Sequence, residues 1–266
     1  MTLPVAIAIV LATLVLGSVL YVVLARTSPE GGRGERTPTS VYAVTAGAMS
    51  LLIAFTLSLT FEQYLSAQQA AAADAEAVMS MSRAATVMDP KVGTPLRDEL
   101  VCYASEVINV SWPAMRSGDT TLQKPVMKTL GNMDSLIAEN VTATGPGLGL
   151  WEAANSQRLS AHMEMLQIAG DGVPPILWLL LIAGSVITIG SLVVYADRSK
   201  PAWGHVLVVV GPLFIASAAL VVIAFFDHPY ANTPGAITPS AMELTLERLQ
   251  TEQIGTLPLP RCPYKV

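Results

Sequence analysis

The stretch VYAVTAGAMSLLIAFTLSLTFEQYLSAQQAAAADAEAVMSMSRAATVM, residues 41–88, decides how this chain folds. Its first half, residues 41–61, is apolar and carries no charge. Its second half, Glu62 to Met88, is Ala-rich and polar, and neither Gly nor Pro interrupts it before Pro90. An uncharged run of that length spans a bilayer core, and the Ala-rich continuation extends the same helix into water. At 1.5 Å per residue the helix is about 70 Å long, over twice a bilayer core of about 30 Å.

Outward from this stretch the pattern repeats. The chain of 266 residues is 52% hydrophobic and 13% charged, too apolar for an ordinary soluble domain. Uncharged runs long enough to span a bilayer lie at residues 5–24, 41–61, 176–195 and 206–226. The first has no Lys or Arg before it and is longer than a signal-peptide core, so it reads as a retained helix. The fold class expected is an all-α integral membrane protein. Four transmembrane helices form two hairpins, with a helical soluble bundle between the second and third spans. The divisions are residues 1–61, 62–174, 175–226 and a tail, 227–266, with a short docking helix.

Basic residues set the orientation. Arg26, Arg33 and Arg36 lie in the first short loop, and Arg198 and Lys200 in the second. The short loops are therefore expected in the cytoplasm of a multi-pass plasma (inner) membrane protein. The termini and the helical domain would then be extracytoplasmic. Cys102 and Cys262, the only cysteines, fall on that outer side, where they can pair. Two separate buried thiols are the other reading, and the spacing does not decide between them.

Within the second span, Ala43, Gly47, Ser50, Ala54 and Ser58 recur every three or four residues, a stripe for close helix packing. An adjacent ridge, Ile53, Leu57 and Phe61, reads either as ordinary packing or as the apolar lining of a pore. In the soluble segment, Asp89-Pro90 ends the long helix. Thr94-Pro95 is expected to open a second helix, with Leu96, Leu100, Tyr103, Val107 and Val110 inward. Trp112-Pro113 closes it. A third helix near 121–139 buries Leu122, Val126, Leu130, Met133 and Ile137; a fourth near 150–168 buries Trp151, Leu159, Met163 and Leu166. After Thr238-Pro239 a short helix can dock through Met242, Leu246 and Leu249.

No chemistry of catalysis is legible. His162, His205 and His228 are scattered, and no P-loop, Gly-x-Ser-x-Gly, paired CxxC or His-Glu-x-x-His occurs. The chain reads as no enzyme, with no cofactor. His162-Met163-Glu164-Met165 and Met79-x-Met81 suggest soft-metal ligands, but methionine is more often a filler of helical cores, so no metal is expected. Clustered basic residues are missing, which argues against a nucleic-acid partner. Asp74 and Arg83, nine residues apart, cannot pair along one helix, so each needs another partner.

Several short motifs occur in a fixed order. They are Phe61-Glu62-Gln63-Tyr64, Asp74-Ala75 with Arg83, Tyr103, Trp112-Pro113-Ala114-Met115 followed by Gly118, and Asp227-His228-Pro229-Tyr230. By these the chain resembles the bacterial bestrophin-like membrane proteins over nearly its whole length. The resemblance marks Glu62, Tyr64, Asp74, Arg83, Tyr103, Trp112, Pro113, Asp227 and Pro229 as family positions. The family more often has Trp at Phe61 and Glu at Asp74. Remote similarity to bestrophins proper implies a homo-oligomeric, pentameric anion channel whose second helix lines an apolar neck, similar to Ile53, Leu57 and Phe61. The alternative is a non-conducting membrane scaffold or sensor whose helical domain binds a protein partner. Bestrophins keep the helical domain in the cytoplasm, opposite to the basic-residue rule here. Partners expected are membrane lipid and further copies of the chain.

Overall fold

A computed structural model describes residues 39–121, 123–195, 202–233 and 235–253, together with Val15, Val19 and Cys262. The first predicted span and both short loops lie almost wholly outside the described residues. Among the described residues all regular structure is helical. Nine α-helices follow in order: α1 Thr39–Thr86, α2 Pro90–Glu106, α3 Trp112–Arg116, α4 Lys124–Glu139, α5 Val141–Thr144, α6 Gly147–Gly170, α7 Pro175–Tyr195, α8 Ala202–Phe226 and α9 Ser240–Gln253. A π-helical turn, Val107–Ser111, joins α2 to α3.

The described residues form two compact units. One holds those up to Tyr64 with Val173–His228 and Asn232–Pro234; the other holds Leu65–Gly172, Pro229–Ala231 and those from Gly235 onward. Helix α1 runs unbroken through 48 residues and contributes to both. Two threonines in its apolar half are tolerated because each hydroxyl bonds back to a carbonyl four residues earlier. Thr56 Oγ1 donates to Leu52 O at 2.8 Å and Thr60 Oγ1 to Thr56 O at 3.1 Å. Among the described residues α1 is long and apolar enough to cross a membrane, and the apolar part of α8, Val210–Phe226, is shorter.

In the first unit Met49, Leu181 and Ile223 make a small core, flanked by Leu52, Ile53, Leu57, Leu177, Trp178 and Leu220. Gly184 lets α7 come close to α1, since a Cβ there would lie 2.6 Å from Met49 Sδ.

In the second unit α2 is the central helix, buried along Leu96, Leu100 and Tyr103 and packed on α4 and α9. Its start differs from expectation. Asp89 is the N-cap, accepting from Lys91 N–H at 2.9 Å, and Pro90 occupies the first turn; Pro95 sits inside the helix. Pro90 lacks the N–H that would be orphaned there anyway, so it serves as the starter and Thr94 does not. Trp112-Pro113 also fails to end the run. A proline crowds the carbonyl four residues before it, and the wider π turn ahead of Pro113 relieves that clash while the chain stays helical.

Two glycines seat the neighbours of α1. A Cβ on Gly93 would overlap the Ala85 carbonyl oxygen, and one on Gly147 would lie 2.8 Å from Ala84 O. The fourth predicted helix is present as α6, with Trp151 and Leu166 buried as expected; Leu159 and Met163 are 49% and 50% exposed instead, while Arg158 and His162 are buried. On α4 the inward residues are Val126, Thr129 and Met133. Helix α9 buries Met242, Thr245 and Leu249, and Thr245 Oγ1 reaches Ala75 O at 3.4 Å. Cys102 and Cys262 form a disulfide with Cα atoms 5.2 Å apart, well inside the reach of the bridge.

Candidate functional site

The rotation of α1 is set by what it packs on. In the first unit its inward face is Met49, Leu52, Ile53, Thr56, Leu57 and Thr60. An aromatic cluster then fixes it near the end of the span. The Phe61 and Phe226 rings meet edge-on at 5.3 Å, and Tyr64 lies 5.3 Å from Phe226 and 6.3 Å from Phe225. Of the expected pore ridge, Ile53 and Leu57 are half-buried against the chain's own core, and Phe61 rests on Phe226.

Among the described residues the opposite half of α1 is left uncovered. Ala43, Gly47, Ser50, Ala54 and Ser58 are all exposed, so the small-residue stripe is not used against α7 or α8. Beside it run Leu51 and Phe55, 74% and 62% exposed. At about 100° per residue, Leu51, Phe55, Ser58 and Glu62 fall within about 60° of one another, and Leu51 lies about 160° from Ile53. Glu62 is exposed on that open face.

The second unit contains a buried polar network that joins three helices. Asp74 of α1, Tyr103 of α2 and His162 and Arg158 of α6 are each at most 3% exposed. Tyr103 Oη donates to Asp74 Oδ1 at 3.1 Å and accepts from Arg158 Nη1 at 3.3 Å. His162 Nδ1 lies 3.3 Å from both Asp74 Oδ2 and Tyr103 Oη. Both neighbours can accept there, so the His162 proton sits on Nδ1. Arg158 Nε donates to Asn155 Oδ1 at 2.9 Å, and its guanidinium carbon lies 5.1 Å from the Tyr103 ring centre. Burial first, then the Asp74 charge, pushes the Tyr103 phenol well above its ordinary range, while Arg158 pulls it back. Tyr103 therefore stays a donor, bridging a carboxylate and a guanidinium. The network clamps the three helices in register.

The remaining family positions have structural roles. Asp227 accepts from the Val173 N–H and lies 3.4 Å from His228 Nδ1, tying the end of α8 to the entry of α7. Trp112 is buried with its ring edge-on to Tyr230 at 5.4 Å, and Pro113 lies in the first turn of α3. The Pro229 carbonyl accepts from Ile237 N–H at 2.9 Å. Arg83 is exposed in the last turn of α1. The structure thus brings together Asp74 and Tyr103, and leaves Glu62 and Arg83 at the surface.

Sequence reasoning missed His162 and Arg158. Their spacing of four was the available signal, since with Trp151, Ala154 and Met165 it traces one helical face. The Met-rich motif does not converge, because Met163 is exposed while His162 and Met165 are buried. Among the described residues no group of three or more His, Cys, Asp or Glu is placed to hold a metal.

Comparison with known proteins agrees with this architecture. A crystal structure of a bacterial Bestrophin homolog from Klebsiella pneumoniae superposes with a TM-score of 0.71 at 14% identity, covering 95% of this chain and 99% of that one. A mutant of the Klebsiella homolog gives 0.72 at 13% identity, covering 94% and 99%. A crystal structure described as a membrane protein gives 0.72 at 14% identity, again covering 94% and 99%. No curated protein matches the chain. The model of the Bestrophin-like domain matches residues 9–235. The chain belongs to the Bestrophin-like domain family, a helical membrane-protein family.

Proposed function

We propose that this protein is a homo-oligomeric ion channel of the inner membrane, built from four spans in two hairpins. The observation that carries the reading is the open half of α1, with its five exposed small residues beside exposed Leu51 and Phe55. In lipid, apolar surface alone drives no association, whereas small residues let helix backbones approach closely. A neighbouring helix, from the first span or from a further copy of the chain, is the occupant that such a stripe suits. The apolar ridge next to it then faces the space between copies.

Family resemblance favours a neck on this helix. Packing of Ile53 and Leu57 in the chain's own core favours Leu51 and Phe55 as the neck, with Phe61 at its edge. A narrow apolar neck resists wetting, so ions pass when it widens or becomes polar. The orientation proposed is the one read from Arg26, Arg33, Arg36, Arg198 and Lys200. The Cys102–Cys262 disulfide suits an oxidising compartment. A C-terminal alkaline phosphatase fusion should be active; an inactive fusion with a fluorescent cytoplasmic reporter would reverse the orientation.

The test of the channel is paired. Protein in detergent should have the mass of an oligomer. Leu51→Ala with Phe55→Ala should raise ion flux in liposomes, whereas Ile53→Ala with Leu57→Ala should lower thermal stability and leave the neck unaltered. A monomer, or flux unmoved by the first pair, would overturn the proposal.

A further inference from the structure

We infer that Cys262 is the entry point for thiol–disulfide exchange with an external dithiol, and that exchange there unclasps the end of α9 from α2, whether or not the chain forms a channel. The two halves of the disulfide differ in access. Cys102, on the central helix α2, is 7% exposed, and Val101, Tyr103 and Ala104 around it are fully buried. Cys262 is partly exposed. A thiolate attacks a disulfide in line with the S–S bond, from the side away from the leaving sulfur. Attack on Cys102 Sγ has to come through the packing around α2, whereas attack on Cys262 Sγ comes from the outer side. The incoming sulfur bonds to Cys262 Sγ, and the S–S electron pair leaves on Cys102 Sγ, which takes up a proton. The second thiolate of the dithiol then attacks the first sulfur and expels Cys262 Sγ, which is protonated in turn. The dithiol is oxidised to a disulfide by two electrons, and the protein gains two thiols.

What the bond holds is the far end of α9. Met242, Thr245 and Leu249 are buried along that helix. Beyond Leu249 an ion pair joins it to α2, Arg97 Nη2 to Glu252 Oε2 at 3.8 Å, with the Glu252 side chain 50% exposed. Exposed pairs of this kind hold weakly. The other end of α9 follows a segment fixed independently of the cysteines, where Ile237 N–H donates to Pro229 O at 2.9 Å and Tyr230 is buried. A helix of 14 residues is marginal by itself. Opening the disulfide therefore frays the last turn of α9 and leaves its start docked.

The experiment exposes the full oxidised chain, in detergent, briefly to reduced glutathione, quenches with acid, alkylates free thiols and maps the peptides by mass spectrometry. Glutathione should sit on Cys262 and the alkyl group on Cys102, in roughly tenfold excess over the reverse. Complete reduction with dithiothreitol should then raise amide hydrogen exchange at residues 249–253 by roughly tenfold and leave residues 240–245 unchanged. The chain with Cys102→Ser and Cys262→Ser should show the raised exchange from the start, and dithiothreitol should add nothing to it. Glutathione found on Cys102, a bond that opens only in denaturant, or two free thiols in protein taken from its own membrane would overturn the assignment of Cys262. Exchange at the end of α9 that is equal in oxidised and reduced protein would overturn the unclasping.

Discussion

Removing the Asp74 carboxylate tests the buried network directly. In Asp74→Ala the Tyr103 hydroxyl and His162 Nδ1 lose their acceptor, and the buried Arg158 guanidinium loses the only carboxylate of the network. Removing the acceptor leaves two buried groups without their hydrogen-bond partner at about 1–3 kcal/mol each, so about 2–6 kcal/mol in all. At about 2–4 °C per kcal/mol for a body of 150–250 residues, the unfolding midpoint should fall by roughly 10 °C. Tyr103→Phe keeps the ring under Arg158 but deletes the hydrogen bond to the carboxylate, a loss of about 1.5–3 kcal/mol. The double variant should cost less than the sum, since both changes act on one network. Thermal unfolding in detergent, followed by tryptophan fluorescence, is the assay, because Trp112 and Trp151 are buried in the same unit. Single variants within about 0.5 kcal/mol of wild type, the range of ordinary surface changes, would refute the reasoning.

Three further outcomes follow from the second unit. Burial raises the Glu106 carboxyl above its usual 4.5, opposed by its hydrogen bond with Thr129 and by Lys128, and reinforced by Glu99. The folded state thus holds that proton more tightly than the unfolded chain, and the stability it contributes is full below about pH 4.5 and lost as pH rises through the folded value. Glu106→Gln should raise the unfolding midpoint at pH 7 and lose that advantage below pH 4.5. Gly93→Ala should destabilise by about 1–3 kcal/mol in chemical denaturation, because the new Cβ meets the Ala85 carbonyl oxygen and two helix backbones must separate. Replacing Cys102 and Cys262 by Ser opens a loop closed over a sequence separation of 160, with a chain-entropy loss of about 5 kcal/mol at most. A midpoint equal in the oxidised and reduced wild type would reject that contribution.

The sequence by itself determined the course of the helices. An uncharged run continuing into an Ala-rich one without Gly or Pro has no cheaper backbone state than one helix, and α1 is that helix from Thr39 to Thr86. Proline marked breaks correctly in general but not in detail: Pro90 starts α2, and Pro113 follows a π turn inside a helical run. The cysteine pair was legible as two open readings, and only the fold brought residues separated by 160 positions within bonding distance.

Tertiary structure alone decided how each helix is turned about its axis. Hydropathy on α6 selects Leu159 and Met163 as inward residues, yet Arg158 and His162 are buried because Asp74 and Tyr103 arrive from other helices to satisfy them. A buried cation is costly without such a partner, and the partner is far away in sequence. The same holds for α1, where Ile53 and Leu57 look as fit for a pore as Leu51 and Phe55. Contact with Leu181 and Ile223, and the clasp of Phe61 and Tyr64 on Phe225 and Phe226, turn one ridge inward and leave the other open. Periodicity reports that a helix has faces; which face is covered depends on side chains that the chain brings from elsewhere.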